Sequence, residues 1–319
     1  MARLSRVAVA LGAVLLLAGG SGSAAAQTLA QAMASAYETN PTLLAARAEL
    51  RAVNEGVPQA LAGWRPNVVL EGSIGLQAQR VEPDTTGEGW NGEGPEEIQA
   101  TITQPLYRGG RTEAAVDSAE ALVLAQRAIL TDTEQTVLLA VVQAYIDVWR
   151  DQAVLELTRT NEERLRRQRQ AALDRFNVGE ITRTDVSQAE SRLAGATADR
   201  IAAEGQLAIS KAVFRQVTGL EPVSITQPPP LQGLPPTQAA AVAQALEDDP
   251  NVVASRYLEN SALADVRERL GQLLPQVSLV GVLAYSRDTG TFAESTTSAQ
   301  ILAQVSVPIY QQGLPNSQV

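Results

Sequence analysis

The chain of 319 residues has no cysteine and no histidine. Without cysteine there is no disulfide framework, no thiol nucleophile and no N-terminal lipid-modified cysteine. Without either residue there is no Cys/His zinc site and no imidazole base. Aromatic residues amount to 4%, so the 45% of hydrophobic residues is mostly Ala, Leu and Val. That composition suits long, closely packed helices better than a core built on Phe and Trp. Basic residues number 25 against 35 acidic, for a net charge of −10. No strongly basic face exists to neutralise phosphates, which speaks against nucleic acid as a partner. For catalysis only carboxylates remain. Glu96-Glu97 and Asp248-Asp249 are chain neighbours in loops or at a cap. No Gly-x-Ser-x-Gly or phosphate-loop pattern accompanies them. We read the chain as no enzyme, with no cofactor and no metal site.

At the N-terminus, Arg3 and Arg6 precede an apolar run from Val7 to Ala18, and Ala24-Ala25-Ala26 follows. A charged start, a short apolar stretch and an A-x-A-like site make residues 1–26 a signal peptide. The run covers about 12 residues, short of the roughly 20 that a spanning helix needs. Losing Arg3 and Arg6 with it takes the net charge from −10 to −12. No later stretch is long and apolar enough for a transmembrane helix.

The chain then repeats itself. Thr39-Asn40-Pro41-Thr42-Leu43-Leu44-Ala45-Ala46-Arg47 matches Asp248-Asp249-Pro250-Asn251-Val252-Val253-Ala254-Ser255-Arg256 at an offset of 209. The same offset pairs Pro66-Asn67-Val68-Val69-Leu70 with Pro275-Gln276-Val277-Ser278-Leu279. Gln104-Pro105-Leu106-Tyr107 matches Val307-Pro308-Ile309-Tyr310 at an offset of 203, so the second copy has a shorter loop. A proline-rich linker, 227–236, separates a first repeat at 27–226 from an incomplete second at 237–319. Asn40 and Asp249 are positioned to cap helices, with Pro41 and Pro250 at their first positions.

Alternating segments follow each pair of helices. In Asn67–Gln79, Val68, Leu70, Ile74, Leu76 and Ala78 share one face, and Glu71, Ser73, Gln77 and Gln79 the other. Ile98, Ala100 and Ile102 alternate with Gln99, Thr101 and Thr103. Ile301, Ala303, Val305 and Val307 alternate with Gln300, Gln304 and Ser306, whereas Val280 and Val282 interrupt the polar face near Val277–Tyr285. Such strands fit a half-buried soluble sheet or a membrane β-barrel with a polar lumen. Tyr107 and Tyr310 are expected to end the returning strands, at interfacial positions. The acidic, Gly-rich loop Glu82–Glu97 is expected to be exposed. Four strands cannot close a barrel, since barrels start at about eight; membrane strands would therefore require an oligomer.

After Gly109-Gly110 no proline occurs until Pro222, and Arg111–Asn177 reads as one helix, roughly 100 Å long at 1.5 Å per residue. Val178-Gly179-Glu180 breaks it, and Thr182–Thr218 returns with a heptad. Val186, Leu193, Arg200, Leu207 and Phe214 hold one core position, and Ala189, Ala196, Ala203, Ser210 and Val217 the other. Arg159, Arg164, Arg166, Arg167, Arg169 and Arg175, mixed with Glu162 and Glu163, form a solvated face or a docking surface for a partner.

Taken in order, Asn40-Pro41, Arg65-Pro66, Gln104-Pro105-Leu106-Tyr107 with Gly109-Gly110, Ala144-Tyr145, Arg175-Phe176-Asn177-Val178-Gly179 with Thr184-Asp185-Val186, and Val307-Pro308-Ile309-Tyr310 resemble the TolC family of outer membrane efflux and secretion proteins. The resemblance covers residues 28–319. It implies an α+β membrane protein, with a long α-helical coiled-coil hairpin (111–218) for an α-barrel and four transmembrane strands per protomer in one β-barrel shared by a homotrimer. It also implies an outer membrane location reaching into the periplasm, in contact with outer membrane lipid, and passive conduction. The implied partners are a periplasmic adaptor (membrane fusion) protein and an inner-membrane pump or ABC transporter, for efflux or type I secretion. The implied adaptor-docking tip is Arg175, Phe176, Asn177, Val178, Gly179 and Glu180, with Glu180 where many members carry an apolar residue. Lumen-facing positions would be Glu71, Ser73, Gln77, Gln99, Thr101 and Thr103. The family's second long hairpin, due after Gly313, is absent, so we read the chain as truncated and expect it not to seal a tunnel alone. A periplasmic adaptor, the competing reading, would need lipoyl-like and β-barrel domains that the duplicated helix–strand–strand order does not supply.

Overall fold

The computed structural model describes residues 27–79, 91–230, 233–287 and 294–318. The signal peptide and most of the Glu82–Glu97 loop lie outside them. In chain order the elements are α1 (Leu29–Thr39), α2 (Pro41–Asn54), α3 (Gly56–Leu61), a 3-10 turn (Ala62–Trp64), β1 (Asn67–Ile74), β2 (Gln77–Gln79), β3 (Asn91–Glu93), β4 (Glu96–Tyr107) and α4 (Arg111–Asn177). There follow α5 (Arg183–Thr218), α6 (Gln238–Asp248), α7 (Pro250–Gly271), β5 (Gln276–Arg287), β6 (Ser295–Ser306) and α8 (Leu314–Gln318). Among the described residues no helix is long and apolar enough to cross a membrane.

The capping residues act as expected. Asn40 accepts a hydrogen bond from the Thr42 amide at 2.9 Å, and Asp249 accepts from Asn251 and Val252 at 2.8 and 3.2 Å. Each satisfies amide donors left over at a helix start, and proline follows where no donor is needed. The repeats then diverge for a local reason. Pro58 has no N–H to give the carbonyl of Asn54, so α2 stops at Asn54 and α3 begins afresh. The matching position of the second repeat is Arg267, and α7 runs unbroken for 22 residues.

Residues 27–36 with 140–230 form one compact unit, and residues 37–139 with the described chain beyond 232 another. Neither coincides with a sequence repeat. In the first unit, Ala32 and Ala36 of α1 pack with Val141, Ala144, Tyr145, Val148 and Leu155 of α4 and with Ala203, Leu207 and Phe214 of α5. The heptad of α5 buries Val186, Ala196, Ala203, Leu207, Ser210 and Phe214. Full burial of a side chain such as Phe214 contributes about 2–3 kcal/mol. The Tyr145 hydroxyl reaches the carbonyls of Gln27 and Thr226, each at 2.8 Å.

In the second unit, α7 lies antiparallel to the first part of α4. Asn251 donates to Asp132 at 2.8 Å, the hydroxyls of Ser118 and Ser261 meet at 2.9 Å in a buried pair, and Arg267 bridges to Asp117 at 2.9 Å. Small residues line the seam: Ala114, Ala121, Ala125 and Ala128 of α4 and Ala254 and Ala264 of α7 are buried. At the strand-to-helix junction, Gly109 has φ +65° and crosses Gly271 so closely that a Cβ on either would strike the other's backbone.

The same unit holds an antiparallel sheet of order β1-β4-β5-β6. Strands of the first repeat lie on one side and those of the second on the other, joined through β4 and β5. The single strand expected over Asn67–Gln79 is broken: β1 ends at Ile74, and Gln77–Gln79 pairs with Asn91–Glu93 as a separate two-stranded ribbon. Glycine at 75 packs no side chain against the ladder, which weakens a strand interior. The returning strand begins earlier than expected and runs over Glu96–Tyr107, so Glu96 and Glu97 belong to the strand and not to the loop. Tyr107 ends β4 as anticipated, but β6 stops at Ser306 and Tyr310 lies beyond it, 83% exposed.

Candidate functional site

Register alone assigns the side chains of the sheet to two faces. One face carries Val68, Leu70 and Ile74 of β1, Ile98 and Ile102 of β4, Leu279, Leu283 and Tyr285 of β5, and Ile301 and Val305 of β6. These side chains have no cover: Leu70 is 73% exposed, Ile74 80% and Ile301 77%. Ala100, Gly281 and Ala299 sink a shallow apolar hollow into that face. An exposed apolar patch of this extent calls for an apolar neighbour.

The opposite face carries Glu71 opposite Gln99, Ser73 opposite Glu97, Val69 opposite Thr101 and Asn67 opposite Thr103. Gln300 and Gln304 of β6 extend it, and Gln99 donates to Thr101 at 3.0 Å. Five of the six expected lumen positions, Glu71, Ser73, Gln99, Thr101 and Thr103, thus share one face. Gln77 does not belong with them, because it sits in the β2–β3 ribbon. Val280, Val282 and Leu302 interrupt the polar face on the second-repeat side.

The hairpin tip is built from two local devices. Gly179, at φ +83°, takes the left-handed conformation that ends α4. Its amide donates to Phe176 O at 2.9 Å, and the Glu180 amide to Arg175 O at 3.0 Å. Two carbonyls left without helical partners are thereby satisfied. Thr182 then caps α5: its amide donates to the Asp185 carboxylate at 2.9 Å while the Asp185 amide donates to its hydroxyl. The Thr182 hydrogen bonds hold the Asp185 carboxyl below the usual carboxylate range. At the turn Val178 is 79% exposed, and Arg175 pairs with Glu180 at 3.0 Å.

Inside the hairpin, Glu162 is buried, which corrects its placement on a solvated face. Its carboxylate accepts from Thr197 at 2.9 Å and from Arg200 at 2.6 Å, with Arg166 at 3.1 Å. The Thr197 hydrogen bond, with Arg200 behind it, keeps its carboxyl below the ordinary range against the opposing effect of burial. Asp151 is also buried, hydrogen-bonded to Arg150 and Ser210. Burial pushes its carboxyl up, and the bonds from Arg150 and Ser210 outweigh it. Both acids were detectable in the sequence. Glu162 continues the seven-residue spacing Val141, Val148, Leu155, and Asp151 lies seven beyond Ala144. Arg159 and Arg169 pair across the hairpin with Glu204 and Glu190.

A family model of outer membrane efflux proteins matches residues 24–220. The chain is similar to the outer membrane efflux protein BepC of Brucella suis biovar 1 (strain 1330), 33% identical over 300 residues, which cover 93% of this chain and 64% of that protein. It is 26% identical to the outer membrane protein TolC of Vibrio cholerae over 301 residues, 90% of this chain and 66% of that one. Among solved structures, a membrane protein from Pseudomonas aeruginosa shares the fold, with a TM-score of 0.77 at 19% identity over 91% of this chain and 66% of that chain. The chain thus spans about two thirds of the length of these relatives.

Proposed function

The chain belongs to the outer membrane efflux protein family, and from that premise we propose that it is the outer membrane channel component of a tripartite efflux pump or a type I secretion system. The sheet carries this reading: one face is exposed and apolar over four strands, and the other polar. Lipid covers the first and water fills the space behind the second. Three copies supply twelve strands to one barrel, so that no open edge meets lipid. Conduction through it is passive. An inner-membrane pump or ABC transporter supplies the energy through a periplasmic adaptor, which docks on the tip at Arg175–Glu180. There the exposed Val178 offers an apolar contact, while Arg175 and Glu180 are occupied with each other.

A chain without cysteine allows a direct test. Single cysteines are placed on the polar face at Ser73 or Thr101, and on the apolar face at Leu70 or Ile301. Outer membranes are then treated with a charged, membrane-impermeant thiol reagent. The polar-face cysteines label and the apolar-face ones stay protected by lipid. Equal labelling of both faces, or release of the protein in osmotic-shock fluid, refutes the channel reading.

A further inference from the structure

With residues 1–26 read as a signal peptide, cleavage after Ala26 leaves Gln27 first in the mature chain. All but one of the polar groups of Gln27 are bonded into the first unit. Its backbone nitrogen donates to Ser224 O at 2.7 Å, and its side-chain Nε2 donates to Glu221 O at 2.8 Å. The Tyr145 hydroxyl stands 2.8 Å from its carbonyl, which also accepts a long bond from the Thr226 amide at 3.4 Å. Gln27 and Ile225 lie side by side as a parallel bridge. The exception is Oε1 of Gln27, which is buried and has no donor.

A glutamine with a free amine is chemically unstable. The amine nitrogen attacks Cδ, the new N–Cδ bond closes a five-membered lactam, and the Cδ–Nε2 bond breaks with loss of ammonia. We propose that the backbone of residues 221–226 is a seat for the mature amino terminus, which holds Gln27 as a free ammonium and keeps it from closing to pyroglutamate. Cleavage turns a neutral amide with one proton into an ammonium with three. The bond to Ser224 O becomes charge-assisted, roughly twice as strong as a neutral one, and Oε1 is an acceptor for one of the protons gained. The start of α1, two residues on, disfavours a positive charge; the Ser224 carbonyl offsets this. A protonated nitrogen has no lone pair with which to attack Cδ, and Nε2 is anchored on Glu221 O. The lactam does not fit the seat either. Its Cδ takes the place of the hydrogen aimed at Ser224, as the proline ring displaces an amide hydrogen. The Nε2 donor leaves as ammonia. Cyclisation therefore forfeits two of the bonds that fasten the start of α1 to the 221–226 segment. The inference rests on the signal-peptide reading and not on the channel reading.

Mass spectrometry of the N-terminal peptide tests the seat on full-length chain exported and purified from outer membranes. The mature chain should begin at Gln27 with its side-chain amide intact. Incubated side by side in one buffer, folded chain should keep its ammonia while chain in guanidinium chloride loses it. Tyr145→Phe removes two hydrogen bonds from the seat and keeps the ring packing. Its folded chain should cyclise roughly 30-fold faster than wild type, the factor that two hydrogen bonds set on local opening. The seat is overturned if the first residue is not Gln27, if isolated folded chain already carries the lactam, or if folded and denatured chains cyclise at one rate. It is overturned as well if Tyr145→Phe is folded by circular dichroism and cyclises at the wild-type rate. Should that variant not fold, the folded and denatured wild-type chains decide alone. Labelling of the sheet faces plays no part, so the channel reading stands or falls separately.

Discussion

Tyr145→Phe isolates one hydroxyl at the centre of the first unit. The ring is fully buried against Phe214, with centroids 6.3 Å apart, and phenylalanine keeps that packing. What goes is the oxygen. It accepts from the Thr226 amide at 3.1 Å and has one proton to give to the carbonyl of Gln27 or Thr226, each at 2.8 Å. The Thr226 amide keeps only a long bond to Gln27 O at 3.4 Å. Two hydrogen bonds at about 1 kcal/mol each give a loss of about 2 kcal/mol. That corresponds to roughly a 30-fold shift in the local opening equilibrium. Hydrogen exchange followed by mass spectrometry should show peptides covering 27–33 and 220–227 exchanging faster by about that factor. Peptides from the start of α5, far along the hairpin from this hydroxyl, should be unchanged. Wild-type exchange at 27–33 and 220–227 would refute the claim that this hydroxyl fastens Gln27 and Thr226 to the hairpin.

Two further predictions follow from the buried acids and one from backbone strain. Glu162→Ala leaves Thr197 without its acceptor and Arg200 with Glu204 as its remaining carboxylate partner, so the thermal midpoint followed by circular dichroism falls. Glu162→Ala with Arg200→Met recovers part of the loss, because an apolar side chain replaces a partly buried charge that has lost one of its two carboxylates, and Glu204 keeps Arg159. The carboxyls of Asp151 and Glu162 titrate below their unfolded values. Their contribution is therefore complete above the ordinary carboxylate pKa near 4 and is lost as pH falls through the lower folded value. Denaturant melts should be flat between about pH 7 and 5 and weaken below about 4, and Asp151→Asn should flatten that loss. Gln312 holds φ +55° where the first repeat has Gly109 at +65°. A side chain there costs roughly 1–2 kcal/mol, and glycine returns up to about 1 kcal/mol through unfolded-chain entropy. Gln312→Gly should thus raise stability by about 0.5 kcal/mol in a denaturant melt, and Gln312→Ala should not.

The placement of Glu162 shows where pattern reading failed. Among six arginines it looked like one charge on a wet surface, yet its position in the heptad outweighs its polarity. Arg200, a charge at a heptad core position, was the sign that a carboxylate would face it. Gln77 failed for the opposite reason. Its alternation with Ser73 and Glu71 is unbroken in the sequence, but alternation predicts a face only while the strand continues, and β1 stops before Gly75.

By itself the sequence determined what short-range chemistry controls. The bounds of α4 at Arg111 and Asn177 follow from the run without proline, the glycines before it and Gly179 after it. The caps at Asn40, Thr182 and Asp249 are set by side chains that reach amides two or three residues on. The alternation of β4 and β6 and the duplication that relates them need no coordinates either. Tertiary structure alone decided how the repeats combine: that β4 lies beside β5, that Glu162 meets Arg200 and Thr197, and that Tyr145 holds Gln27 and Thr226. Those partners stand 35 to 191 residues apart along the chain, with the β4–β5, Glu162–Arg200 and Tyr145–Thr226 contacts each closing a long loop. No local propensity specifies which partner closes such a loop; that choice is made by the joint burial of faces each element cannot cover alone.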